Sequence, residues 1–184
     1  MSLDIEKLKH SIKLQEGTVD HMYLDTRGYV TVGVGHLIAD EKAVKKLDFI
    51  HRESHHPATD DQKVTEYNHV KEQDPGMVAS RYKIYTELVL PEASIDRLLE
   101  NHIEYFRNGL TQEIPDFETY PEPPQEGLLH MAFNLGLNGL FKKFPTFMKA
   151  AKARKWQICA DECRRKGISQ QRNDDTKRLF ESCL

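Results

Sequence analysis

Gln15-Glu16-Gly17, followed after five intervening residues by Tyr23-Leu24-Asp25-Thr26-Arg27-Gly28-Tyr29-Val30-Thr31-Val32-Gly33-Val34-Gly35-His36-Leu37, is where the chain passes from helical to strand periodicity. Valines occupy alternate positions after Tyr29, and Asp25-Thr26-Arg27-Gly28 is turn chemistry, so Met22 to Val34 is predicted to form a small antiparallel hairpin. Gly28, Gly33 and Gly35 imply tight turns or a close approach of backbone, and they keep the ribbon too narrow to supply a core. Upstream, Asp4 can cap a helix whose Ile5, Leu8 and Ile12 form one apolar stripe, ended near Gln15 and Glu16 by Gly17.

Working outward, Asp40 opens a second helical pattern through Ala43, Val44, Leu47 and Ile50. His51 to Asp74 is polar, with Pro57 and Pro75-Gly76 as punctuation, and is predicted to be an insertion or mobile loop. Pro91-Glu92 begins a strongly periodic helix through Ile95, Leu98, Leu99, Ile103 and Phe106, with Asn108-Gly109 near its end. Pro115, Pro121, Pro123 and Pro124 exclude regular helix between about 111 and 124, leaving an extended linker. Helices are predicted over 125–138, 145–153, 156–166 and 172–183. The expected class is α+β, predominantly helical, with one small N-terminal sheet.

The chain has 184 residues, 39% hydrophobic and 30% charged, which suits one globular domain able to bury a core without metal or disulfide staples. No apolar run approaches a membrane span and no export signal is visible, which predicts synthesis in the cytoplasm. Cys159, Cys163 and Cys183 do not have the spacing of a disulfide framework or a zinc site and are expected to be core thiols. His51, His55 and His56 lack a nearby acid at helical spacing, so no metal is expected there either. Residues 140–184 carry 12 bases against 5 acids, a net +7 on a chain of net −3, which fits an anionic partner or a solvated helix face.

Cleaving a glycosidic bond needs an acid to protonate the leaving oxygen and a carboxylate across the ring to activate water or attack. Glu16 at a helix end beside an apolar hairpin is expected to be desolvated and protonated, whereas Asp25 in a polar turn stays ionised. Taken singly, such residues are more often caps or solvated groups, and a strand Thr is usually only a β former.

Together, Glu16, Asp25 nine residues on and Thr31 six beyond it, within Tyr-x-Asp-x-x-Gly-x-x-Thr-x-Gly-x-Gly-His from Tyr23 to His36, resemble the phage-type lysozymes of glycoside hydrolase family 24. The resemblance implies a lysozyme-like two-lobe fold over 1–184: a β-containing lobe at about 16–90 with an insertion near 51–80, a connecting helix at 92–110, and a helical lobe at 111–184 joined by helix 5–15. It further implies Glu16 as general acid, Asp25 and Thr31 as holders of the attacking water, inversion at the anomeric carbon, and no cofactor. Substrate contacts would come from Gly35, His36 and Leu37, although a structural His36 is favoured.

A second similarity lies in His130-Met131-Ala132-Phe133-Asn134-Leu135-Gly136, where Phe133 and Asn134 would meet the saccharide or, alternatively, serve core and backbone. Gly167-Ile168-Ser169-Gln170-Gln171-Arg172 is similar to the family segment whose Arg approaches the acid, though only Arg172 remains and Gln171 departs from the pattern. The implied function is a muramidase acting on peptidoglycan in the periplasm or cell wall, in an endolysin, a pesticin-type bacteriocin or a toxin effector. The implied partners are glycan strands and an immunity or inhibitor protein, with no nucleic acid, no membrane span and a monomeric state. The alternative is a lysozyme-like module that binds wall without cutting it.

Overall fold

Asp4 starts the first helix as expected: its carboxylate Oδ1 accepts from the Lys7 N–H at 3.0 Å. The computed structural model describes residues 3–184, in the order α1 (Ile5–Glu16), β1 (Val19–Leu24), β2 (Val30–Gly33), β3 (His36–Leu37), α2 (Glu41–Lys45), β4 (Ile50–His51), α3 (Asp60–Lys71), β5 (Leu88–Val89), α4 (Glu92–Glu113), α5 (Glu122–Lys143), α6 (Pro145–Lys152), α7 (Trp156–Glu162) and α8 (Gln170–Glu181). The fold is α+β and mostly helical. The described residues divide into two compact units, one of residues 16–100 and one of residues 3–15 with 101–184.

In the 16–100 unit, β1, β2 and β3 form an antiparallel sheet. Tyr23 pairs with Thr31 and Leu24 with Val30, and a register irregularity precedes Tyr23. The third strand, not anticipated from the sequence, sets Leu37 opposite Thr31 and His36 opposite Val32. Every residue of β2 is buried, because it is the central strand and because Ile95 of α4 closes on Gly33. A Cβ at Gly33 would stand 3.4 Å from Ile95, and its φ of +67° lies where side chains strain the backbone.

Several sequence expectations are corrected in this unit. The Asp40 helix stops at Lys45, and Ile50 lies instead in β4, paired with Val89. The predicted loop from His51 to Asp74 contains α3, started by a capping box in which Gln62 N–H donates to Thr59 Oγ1 and Thr59 N–H donates to Gln62 Oε1. The buried face of α3 is Lys63, Glu66, Tyr67 and Val70, half of it charged. Lys63 reaches the Lys45 carbonyl at 3.0 Å, which ties α3 to α2.

In the other unit, the proline linker is shorter than expected. The α4 helix continues to Glu113, and Pro123 and Pro124 lie in the first turn of α5, where the missing N–H would have no intrahelical partner. Gly136 (φ 68°, ψ 158°) breaks α5. The α7 helix ends at Glu162, short of the expected 166. The core here includes Leu128, Leu129, Met131, Phe147 and Phe180, the two rings meeting edge to face with centroids 5.5 Å apart. Each such side chain contributes about 1.5–3 kcal/mol through burial. Cys159 and Cys163 are buried free thiols, whereas Cys183 is only half-buried. Among the described residues no helix is long and apolar enough to cross a membrane.

Candidate active site

Asp25 sits where β1 turns into β2, and the turn is built on it. Its Oδ1 accepts from the Arg27 N–H at 2.8 Å and the Tyr29 N–H at 2.9 Å, while its own N–H donates to the Tyr29 carbonyl at 2.9 Å. These bonds use one of the two carboxylate oxygens. Thr31, 4% exposed, donates from Oγ1 to the same Tyr29 carbonyl at 3.0 Å. Asp25 and Thr31 are thus both anchored on the Tyr29 peptide groups. A hydroxyl has one proton, so with that proton committed Thr31 faces any further partner as an acceptor.

Glu16 is the last residue of α1, released from the helix by Gly17 at φ +77°. It is exposed, so the expected burial of this carboxyl against the hairpin is not found. Its charge is nevertheless felt across the ladder. Burial pushes the half-buried Tyr23 phenol up from its ordinary value, and the negative charges of Asp25 and Glu16 push it further in the same direction. Tyr23 is the cross-strand partner of Thr31, so one phenol registers both carboxylates and neighbours the hydroxyl.

Gly35 makes the tight turn between β2 and β3 with φ +70°, and no atom would crowd a Cβ there. His36 is half-buried, and Leu37, 48% exposed, continues the row begun by Tyr23 and Thr31. Along this row Leu37 is exposed, Tyr23 half-buried and Thr31 buried.

Phe133, Asn134 and Arg172 belong to the other unit. Phe133 is half-buried, its ring 5.0 Å from Phe106 and 6.1 Å from His102, whose imidazole burial pushes down. Asn134 is half-buried just before the α5 break. Arg172 is half-buried in the first turn of α8, its N–H capped by Ser169 Oγ at 3.2 Å.

The sequence reading passed over Arg165, which is 2% exposed. Its guanidinium donates to the His130 carbonyl at 3.1 Å and to Thr176 Oγ1 at 2.7 Å, and Asn173 Oδ1 receives its backbone N–H at 2.9 Å. Within Arg164-Arg165-Lys166 nothing in spacing separates the buried cation from its solvated neighbours. Among the described residues no three His, Cys, Asp or Glu are grouped to hold a metal ion. Compared with models of known protein families and with curated proteins, the chain matches none.

Proposed function

We propose that the chain is a muramidase that hydrolyses the β-1,4 bond between N-acetylmuramic acid and N-acetylglucosamine in peptidoglycan. The observation that carries this reading is the attachment of Asp25 and Thr31 to the backbone of one residue, Tyr29, through its N–H and its carbonyl, with the charges of Asp25 and Glu16 both reaching Tyr23. A water that donates one hydrogen to the remaining Asp25 oxygen and the other to Thr31 Oγ1 presents its lone pair to a sugar carbon. Glu16 protonates the departing oxygen from the opposite side, which gives inversion and needs no cofactor. Glu16 is exposed, so a bound saccharide would have to exclude water from it.

Exposed lysines at 142, 143, 149, 155 and 166 add attraction toward an anionic wall, an effect that salt screens. The enzyme would act in the periplasm or wall after release or delivery, and an inhibitor protein would be a natural partner.

The rival reading, a wall-binding module without chemistry, draws on the exposure of Glu16 and the structural use of Asp25 Oδ1. Reducing ends released from purified cell walls separate the two. Under the muramidase reading, Glu16→Gln and Asp25→Asn each lower the rate by about a hundredfold or more. Cosedimentation with walls but no released reducing ends in the wild type, or release that survives both changes, would overturn it.

A further inference from the structure

The segment from β4 to β5 lines an open cavity of about 470 Å³ within the 16–100 unit. That volume lies in the range of small-molecule pockets, roughly 300–1,000 Å³. Its floor is buried, with Glu66 8%, Thr86 4% and Leu88 2% exposed, while Asp61, His69 and Glu87 on its rim are exposed. It is a lined hollow open to solvent.

Three carboxylates, Asp61, Glu66 and Glu87, line it with His51 and His69, and the Arg52 guanidinium is bonded to that lining, donating to the Thr86 carbonyl at 2.9 Å and to Thr86 Oγ1 at 3.0 Å. Glu66 is the anchor. Its Oε2 accepts from the Glu87 N–H at 2.6 Å and the Leu88 N–H at 3.0 Å, whereas Oε1 receives only a long 3.4 Å bond from Leu88 and keeps acceptor capacity. Burial pushes this carboxyl up despite those two N–H groups and the positive charge of Arg52.

A bare metal ion does not suit the cavity, because its His, Asp and Glu side chains are not gathered closely enough to coordinate one. Ile84, Leu88 and the Tyr85 ring, which stands edge-on to His69 at 5.6 Å, supply an apolar and aromatic wall.

We propose that the cavity between α3 and the 84–88 segment binds a primary ammonium carried on a short apolar arm, as a lysine side chain presents it. The site shares no residue with Glu16, Asp25 and Thr31 and does not depend on the reaction assigned to them.

The test titrates the full chain with Nα-acetyl-lysine methylamide and with its Nε-acetylated counterpart, following backbone amide shifts. The free amine is expected to give saturable shifts confined to residues 51–88 and to bind about tenfold or more tightly than the acetylated probe. Asp61→Asn combined with Glu87→Gln, both at exposed positions that leave the buried floor intact, should weaken the amine about tenfold, while Glu16→Gln should leave it unchanged. Absence of saturable shifts, equal binding of the two probes, or undiminished affinity in the double variant would overturn the proposal. A fall in affinity in Glu16→Gln would overturn it as a separate site.

Discussion

Asp25 and Tyr29 hold each other through two hydrogen bonds of opposite sense: the Tyr29 N–H donates to Asp25 Oδ1 at 2.9 Å, and the Asp25 N–H donates to the Tyr29 carbonyl at 2.9 Å. The carboxylate that would activate water therefore also closes the hairpin. One oxygen serves the fold and the other would serve the proposed chemistry, and the two roles can be separated by substitution.

Asp25→Asn keeps a carbonyl oxygen where Oδ1 stands, so the Arg27 and Tyr29 N–H groups retain an acceptor and the hairpin should lose less than about 1 kcal/mol. Asp25→Ala removes the acceptor for both and should cost about 1–3 kcal/mol. Urea denaturation followed by circular dichroism gives the ordering. A variant as stable as wild type that has lost wall hydrolysis locates the loss in the charge. Equal destabilisation by Asn and Ala would show that the turn needs the charge itself.

Gly127 packs against Phe180 in the helical unit. A Cβ there would meet Phe180 Cζ at 2.6 Å and Cε2 at 2.9 Å, and Phe180 is fully buried against Phe147. Gly127→Ala should therefore cost about 1–3 kcal/mol through overpacking. At about 2–4 °C per kcal/mol for a chain of this size, the Tm falls by about 2–12 °C in a calorimetric scan. Adding Phe180→Leu opens room for the new methyl, so the double variant should be less destabilised than the sum of the singles. Strict additivity would sink the packing account.

The first helix, the hairpin and its turn were legible because each is written in local chemistry: Asp4 as cap, Gly17 as stop, alternating valines around a polar turn. The α3 helix was not. Its buried positions Lys63, Glu66, Tyr67 and Val70 have helical spacing, but two are charged, so apolar periodicity is blind to them. The capping box Thr59-x-x-Gln62 was the available signal. Pro123 and Pro124 misled in the other direction, since a proline that breaks a helix interior is welcome in its first turn. At the candidate site, the resemblance brought out Glu16, Asp25 and Thr31 together, but exposure of Glu16 and burial of Arg165 are set by tertiary packing, which neither residue type announces.

Arg165 tests that last point. Arg165→Lys keeps the charge, but a single ammonium cannot reproduce the planar fork that reaches both the His130 carbonyl and Thr176 Oγ1. Arg165→Met keeps length and loses the donors. Both should destabilise by about 1–3 kcal/mol or more in urea titrations. Full rescue by Lys would mean that the charge matters and the fork does not.

Two buried carboxyls should make stability respond to pH with opposite signs. For Glu126, burial pushes the group up, but the hydrogen bond to His130 and the positive charges of Lys7 and His130 outweigh it and hold it below its ordinary 4.5. The folded chain then binds the proton less readily than the unfolded chain, so the stability from Glu126 is present above pH 4.5 and is lost as pH falls through the lowered value. For Glu66, burial dominates and the group rises above 4.5 despite the Glu87 and Leu88 N–H bonds. Here the folded chain keeps its proton longer, so stability declines as pH rises from 4.5 through the raised value. Gln removes the titration in each case. Unfolding free energies measured across pH 3–8, a window of about five units chosen to span both shifts, should show Glu126→Gln losing ground to wild type as pH rises. Glu66→Gln should gain on wild type over the same range. Parallel curves for the two variants would mean that the opposing environments of these carboxyls do not govern the acid response.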